Sequence, residues 1–228
     1  MKKAIALALF AALATTAACK KENKAETAPG TQVPAKTEVK PADKPAEPAP
    51  TTAPAPGSAF PAGKYDLDNG HSAFIWKARH FGAGNTYGWF KDVSGSVVVD
   101  PDVAKQSIEL TIKVDSIDSR DAKRDEHLRS PDFFNAAQFP TITFKSTKIE
   151  AGTGGALAVT GDLAMHGVTK AVTAQVTPLG TGVDPWKNTR VGYETKLVVK
   201  RSDFGMAFMP DGIGDEIELT IAIEGSKK

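Results

Sequence analysis

The chain has 228 residues, with 28 Lys or Arg against 27 Asp or Glu, 41% apolar residues and 7% aromatic ones. That is material for one sizeable core, not for two full domains, and the balanced charge gives neither the basic footprint of a nucleic-acid binder nor the acidic excess of a cation buffer. Met1-Lys2-Lys3 forms a short basic region and residues 4–14 an apolar run too short to span a bilayer. Residues 1–18 therefore read as a signal peptide and not as an anchor helix.

Thr15-Thr16-Ala17-Ala18 lead into Cys19, the single cysteine of the chain, so no intramolecular disulfide is possible. The stretch resembles the lipobox of bacterial lipoproteins, with Thr16 where that motif carries an aliphatic residue. The resemblance implies lipidation of Cys19. Because Lys20 is not the aspartate that retains lipoproteins in the inner membrane, it also implies an outer-membrane anchor. The alternative is ordinary cleavage near Ala18, leaving a soluble periplasmic protein with a free thiol; an odd thiol in an oxidising compartment favours lipidation. From Cys19 to Ser58 eight prolines (Pro29, Pro34, Pro41, Pro45, Pro48, Pro50, Pro54, Pro56) are scattered among Ala, Thr, Lys and Glu, with no aromatic residue. Such a segment buries too little apolar surface to offset its ordering entropy and is expected to be a disordered tether with a reach on the order of 35 Å.

The folded domain is expected over 60–228, and its pattern is β throughout. Ile108, Leu110, Ile112 and Val114 alternate with Glu109, Thr111 and Lys113, and Ile217, Leu219, Ile221 and Ile223 alternate with polar residues near the C-terminus. Both read as half-buried strands. Turn residues separate further candidates at 64–69, 72–80, 87–99, 141–148, 156–164, 168–177 and 190–200. About nine strands with short turns and no long helix predict an antiparallel sandwich or barrel. The charged run 121–129 predicts one short helix over a barrel mouth.

The aromatic residues are placed along these strands. Phe74 and Trp76 share a strand face, Phe90 follows on the next, Phe133 and Phe134 close the helical segment, Phe144 sits mid-strand, and Phe204 and Phe208 flank a loop. A barrel of about eight strands either fills its interior with such side chains or encloses one ligand, and composition alone favours filling.

A set of sequence words bears on that choice. Tyr65-Asp66-Leu67-Asp68, His80-Phe81-Gly82, Arg124-Asp125-Glu126-His127-Leu128-Arg129-Ser130, Asp132-Phe133-Phe134, Phe139-Pro140-Thr141-Ile142-Thr143-Phe144, His166-Gly167-Val168-Thr169-Lys170 and Arg201-Ser202-Asp203-Phe204-Gly205 occur in order. Together they resemble the YceI-like family of lipocalin-like, polyisoprenoid-binding bacterial proteins, over nearly all of 64–224. Met165 stands where the family often has Leu, Ala171 where Pro is common, and Ala83-Gly84-Asn85-Thr86 lengthens the first hairpin. The resemblance implies an all-β, lipocalin-like extended barrel whose tunnel holds a polyprenyl phosphate or a quinone tail. The lining it implies comprises the aromatic residues above together with Ile108, Leu110 and Ile112, Leu163 and Met165, Leu197 and Met206, and Leu219 and Ile221. Fatty acids or their amides are the alternative cargo, and a homodimer is left open.

An apolar tunnel places polar recognition at its mouth, where Arg120, Arg124, His127 and Arg129 cluster on the helical run. Arg124 and His127 are the headgroup candidates, although Asp121, Asp125 and Glu126 are at hand to neutralise the cluster. His71, His80, His127 and His166 match no short zinc spacing and read as histidines that bond turn backbones. A histidine-metal enzyme built on His80, His127 and His166 is the reading from a different class, and a filled structural barrel a further one. Gly-x-Ser-x-Gly and phosphate-loop signatures are absent, Asp203 reads as the ion-pair partner of Arg201, and the expectation is a carrier, not an enzyme, with no metal or cofactor besides the lipid.

Overall fold

The computed structural model describes residues 60–227; the leader at 1–18, Cys19 and the tether at 19–58 lie outside the described residues. The chain forms β1 (Gly63–Leu67), β2 (Ala73–His80), β3 (Gly84–Phe90), β4 (Val93–Val99), β5 (Ser107–Lys113), β6 (Ile117–Asp118), α1 (Ala122–Arg129), β7 (Thr141–Ala151), β8 (Leu157–Met165), β9 (Val168–Val183), β10 (Thr189–Lys200) and β11 (Ile213–Lys227). Eight of these close into an antiparallel ring, β1-β4-β5-β7-β8-β9-β10-β11, with β11 returning to β1 through Ser226 and Gly225 opposite Asp66 and Leu67. The remainder of the same β11 edge pairs with β2, β2 with β3, and β3 with β6. Three positions of the barrel are thus each built from two strands laid end to end: β1 with β2, β4 with β3, and β5 with β6.

The expected strand over 87–99 is therefore two strands. It breaks at Lys91-Asp92, where the Asn69 side chain replaces a neighbouring strand: its Nδ2 donates to the Lys91 carbonyl at 2.8 Å and its Oδ1 accepts from the Val93 amide at 2.9 Å. A backbone left unpaired at a break must find partners, and one asparagine supplies both. Similarly, the alternating strand expected to include Val114 stops at Lys113, and a 3-10 turn over Val114–Ser116 redirects the chain into β6. Ala83-Gly84-Asn85-Thr86 lengthens the first hairpin by extending its ladder, with Gly84, Asn85 and Thr86 opposite His80, Arg79 and Ala78.

No ladder joins β6 to β7 among the described residues. That interval is covered by α1 and the loop to Pro140, where Leu128 and Phe134 pack against the cluster that holds Ile117 of β6, and Phe134 and Ala136 join the cluster that holds Ile142 of β7. Asp121 starts the helix by accepting from the amides of Lys123 and Arg124 at 3.0 and 3.1 Å, as an N-cap does.

The end of the barrel where the chain enters from Phe60 is filled. Tyr65, fully buried, donates its hydroxyl to the Pro61 carbonyl at 2.7 Å and packs with Val93, Val97, Val159, Val191 and Ile223. Each such aliphatic side chain contributes about 1.5–3 kcal/mol on burial. Over this plug Arg190 joins three segments: Nη1 reaches Asp68 Oδ2 at 2.5 Å and Glu224 Oε1 at 2.7 Å, and Nε reaches Asp184 Oδ2 at 3.1 Å.

The hydrogen bond from Arg190 holds the Asp68 carboxyl below the ordinary carboxylate range, and the Ser202 amide and hydroxyl do the same for Asp215. A carboxyl that titrates lower in the folded chain than in the unfolded one stabilises the fold above its unfolded value of about 3.9 and loses that contribution as pH falls through its folded value. Urea midpoints are expected to fall between pH 5 and pH 3. In Arg190→Gln, where Asp68 keeps His71 but loses the guanidinium and still faces Glu224, the slope should flatten; an unchanged slope would contradict this assignment.

Candidate functional site

Beyond the plug, inward side chains no longer fill the interior. Ile112, Phe144, Leu163, Leu197, Leu219 and Ile221 point into the barrel yet are only half-buried, because they border a hollow. The hollow measures about 440 Å³, within the 300–1,000 Å³ common for small-molecule sites. It runs from Ile108, Val159, Val176 and Tyr193, which belong to the plug, to Phe81, Phe208 and Met209 at the other end. The filled-barrel alternative does not hold, since the residues that would have packed the centre stand around a cavity.

The wall is apolar along most of its length. Phe74, Trp76, Phe90, Leu110, Phe133, Phe134, Met165 and Met206 complete the lining expected from the sequence. Trp76 lies flat across Gly88 on the neighbouring strand; a Cβ on that glycine would sit 2.1 Å from the indole Cζ2. Its Nε1 is buried with no hydrogen-bond partner among the described residues.

Phe204 is the exception to the expected lining. The β9–β10 ladder ends at Val176 opposite Thr195, and Lys196 to Lys200 pair only with β11. The 3-10 turn Arg201–Phe204 packs against both β9 and β10 there, and Phe204, 1% exposed, belongs to the apolar cluster on which Val168, Val172 and Leu197 pack and does not line the cavity. Its carbonyl accepts from His166 Nδ1 at 2.9 Å.

Polar side chains gather at the open end. Arg79, His80 and Thr86 reach the cavity from the β2–β3 hairpin, and Arg124 and His127 reach it from α1. Arg124 is pinned: Nε donates to Ser119 Oγ at 2.7 Å and Nη2 to the Ser119 carbonyl at 2.5 Å, while buried Asp125 accepts from the Ser119 amide at 2.8 Å. His127 Nε2 lies 2.8 Å from Asp132 Oδ2, and its ring meets Phe133 and Phe208 edge-on at 5.0 and 5.2 Å. The other two cations of the predicted cluster face elsewhere. The Arg120 guanidinium lies over the Trp89 ring at 5.1 Å, and Arg129 Nη1 points to the Asp115 carbonyl at 3.4 Å.

Arg201 borders the cavity as well, and sequence reasoning gave it the wrong partner. It is 5% exposed and donates to four carbonyls: Met206 and Phe208 from Nη1, both at 2.8 Å, Ile213 from Nη2 at 2.9 Å, and Gly214 from Nε at 3.1 Å. Asp203 is exposed; the nearby acid is Asp215, which accepts from the Ser202 amide and hydroxyl at 2.9 and 2.8 Å. Burial pulls the guanidinium below the ordinary arginine range and the charge of Asp215 opposes that pull.

The histidines do not converge. His71 pairs with Asp68 over the plug, His80 stacks edge-on with Phe81, and His166 bonds Phe204. Asp68, His71 and Glu224 do present ligand atoms within 4.8 Å of one another, but Arg190 Nη1 already bonds both carboxylates and takes the place a cation would have.

The model of the YceI-like domain matches residues 65–225. Protein YceI of Escherichia coli O157:H7 is 38% identical over 171 residues, 74% of this chain and 89% of its own. Among solved structures, BcnA of Burkholderia cenocepacia superposes with a TM-score of 0.64 at 27% identity, covering 69% of this chain and 98% of that one. A polyisoprenoid-binding domain from Saccharophagus degradans superposes with a TM-score of 0.56 at 16% identity, covering 72% and 98%, a likeness of fold.

Proposed function

Since this chain belongs to the YceI-like family, we propose that its barrel takes up a long-chain isoprenoid lipid, a polyprenyl phosphate or a quinone tail, and carries it within the bacterial envelope. The observation behind this reading is the apolar hollow that runs from the plug to the mouth. Each methylene moved from water to such a wall contributes about 0.8 kcal/mol, so a long branched chain is held without directional contacts. The Saccharophagus degradans neighbour, described as a polyisoprenoid-binding domain, agrees with this cargo.

In this reading the headgroup stays at the mouth, where Arg79, Arg124 and His127 stand. Arg124 uses Nε and one Nη2 hydrogen on Ser119, so its remaining N–H groups are available to a phosphate or carbonyl oxygen. The protein works by binding and release, without a catalytic step. Signal-peptide export and lipidation of Cys19 would keep the barrel on the periplasmic side of the outer membrane, with the tether giving it reach.

The test is to purify the chain from its native envelope, extract it with organic solvent and identify the lipid by mass spectrometry. A polyprenyl or prenylquinone species at about one per chain is expected. Recovery of fatty acid or fatty amide would replace the cargo and keep the carrier. A cavity that stays empty and refuses added polyprenols would overturn the carrier itself.

A further inference from the structure

Two loops lean on each other at the open end of the cavity. Phe81, at the tip of the β2–β3 hairpin, donates its amide to the Gly212 carbonyl at 2.7 Å. A Cβ on Gly212 would meet Met209 Sδ at 2.8 Å and Phe81 Cε1 at 2.9 Å, so both side chains converge over that glycine. Both border the cavity, yet Phe81 is 61% and Met209 43% exposed. Both also hold left-handed backbone, with φ of 45° and 49°. Such backbone is unfavourable for large side chains and persists where the surroundings enforce it, characteristically at ligand clamps and switch regions. Tyr87, on the other strand of the same hairpin, is 49% exposed.

We propose that this rim, with Phe81 and Met209 at its centre, is the surface that seats on a lipid bilayer, and that cargo passes between bilayer and cavity there. The proposal rests on the lipid-carrier reading. An isoprenoid loses roughly fourfold in partition for every methylene left in water, so an entrance that does not touch the lipid phase would have to pass its cargo across a gap that the cargo avoids. Apolar tips at an entrance suit that contact, since they gain on leaving water where a soluble surface would carry polar groups.

The rim charges are mixed, Arg79 and Arg124 against Asp132 and Asp211, so seating is expected to depend on apolar contact more than on anionic lipid. The described residues begin at the opposite end, where Phe60 meets Tyr193 of the plug edge-on at 5.2 Å. The plugged end carries an exposed tryptophan of its own, Trp186 on the β9–β10 hairpin, which serves as the comparison site.

The experiment uses the whole exported chain with Cys19→Ser, so that no acyl group binds membrane by itself, and vesicles of phosphatidylethanolamine and phosphatidylglycerol. Flotation with the vesicles should fall at least tenfold in the pair Phe81→Ser with Met209→Ser and hold in Trp186→Ser. Loss of flotation in Trp186→Ser with retention in the rim pair would overturn the proposal. Loading of polyprenol from ethanol, without vesicles, reads the carrier separately: a chain that loads from ethanol but never floats removes the docking surface and leaves the carrier standing.

Discussion

An Arg201→Leu variant is expected to lose about 3–5 kcal/mol of stability, because one side chain satisfies four carbonyls, two in the loop after the 3-10 turn and two at the start of β11. Leucine fills part of the volume and supplies no donor. A buried polar group left without a partner costs about 1–3 kcal/mol, and the sum is held below four full penalties because the loop can open to water. The loop from Gly205 to Gly212 should loosen first: Gly205 already takes left-handed backbone to end the 3-10 turn, and the Met206 amide bonds back to the Arg201 carbonyl at 3.1 Å. Since this loop carries Phe208 and Met209, the mouth should lose definition along with stability. Arg201→Lys keeps the charge as a point donor without the fork and should recover about half of the loss. Denaturant midpoints with hydrogen exchange at residues 206–213 measure both effects. Wild-type protection of those amides in Arg201→Leu would show that the loop is held by something else.

Much of the barrel was legible because period-two alternation reports a wall with one face turned inward. Glu109, between Ile108 and Leu110, faces out and pairs with Lys145 across the strand, as the alternation requires. Alternation reports the inward face and is silent on what that face meets. Leu219 and Ile221 have the same pattern whether they touch other side chains or a void, so the hollow came from the family resemblance and from the fold. The break at Lys91-Asp92 was hidden because it depends on Asn69, remote in sequence, whose amide does the work of a strand edge.

The site was read with a similar boundary. Residues placed by strand register landed on the cavity wall, because register is local. Phe204 did not, because its position depends on where the β9–β10 ladder ends, which is set by pairing between distant segments. The partner of Arg201 was misassigned for a related reason: adjacency in sequence favoured Asp203, whereas a 3-10 turn sends neighbouring side chains in different directions and the guanidinium is met by carbonyls of the following loop and of the start of β11. Phe81 and Met209 went unmarked as a pair, since no local pattern joins a hairpin tip to a loop more than a hundred residues later. His80-Phe81-Gly82 stood in the motif set, but its meaning lay in contact with Gly212.

The depth of the cavity makes a second large effect predictable. Ala174 on β9 is small, borders the hollow and packs on the plug, opposite Val159 of β8. Ala174→Phe should place a ring where the plug meets the lumen, taking away the deepest part of the bound chain's shelter. If one isoprene unit of five carbons is displaced, the loss is up to about 4 kcal/mol, on the order of a thousandfold in affinity for a chain that fills the cavity. A chain shorter by one or two units should keep nearly all of its affinity, because its tail never reached that depth. Folding stability should hold or rise, since a ring entering an existing hollow gains contacts where the same change in a packed core would strain it. Competition binding with polyprenols of graded length reads the cutoff directly. A cutoff that moves toward shorter chains in Ala174→Phe assigns the plugged end as the terminus of the tail; an unmoved cutoff means that the chain ends elsewhere or enters in the opposite sense.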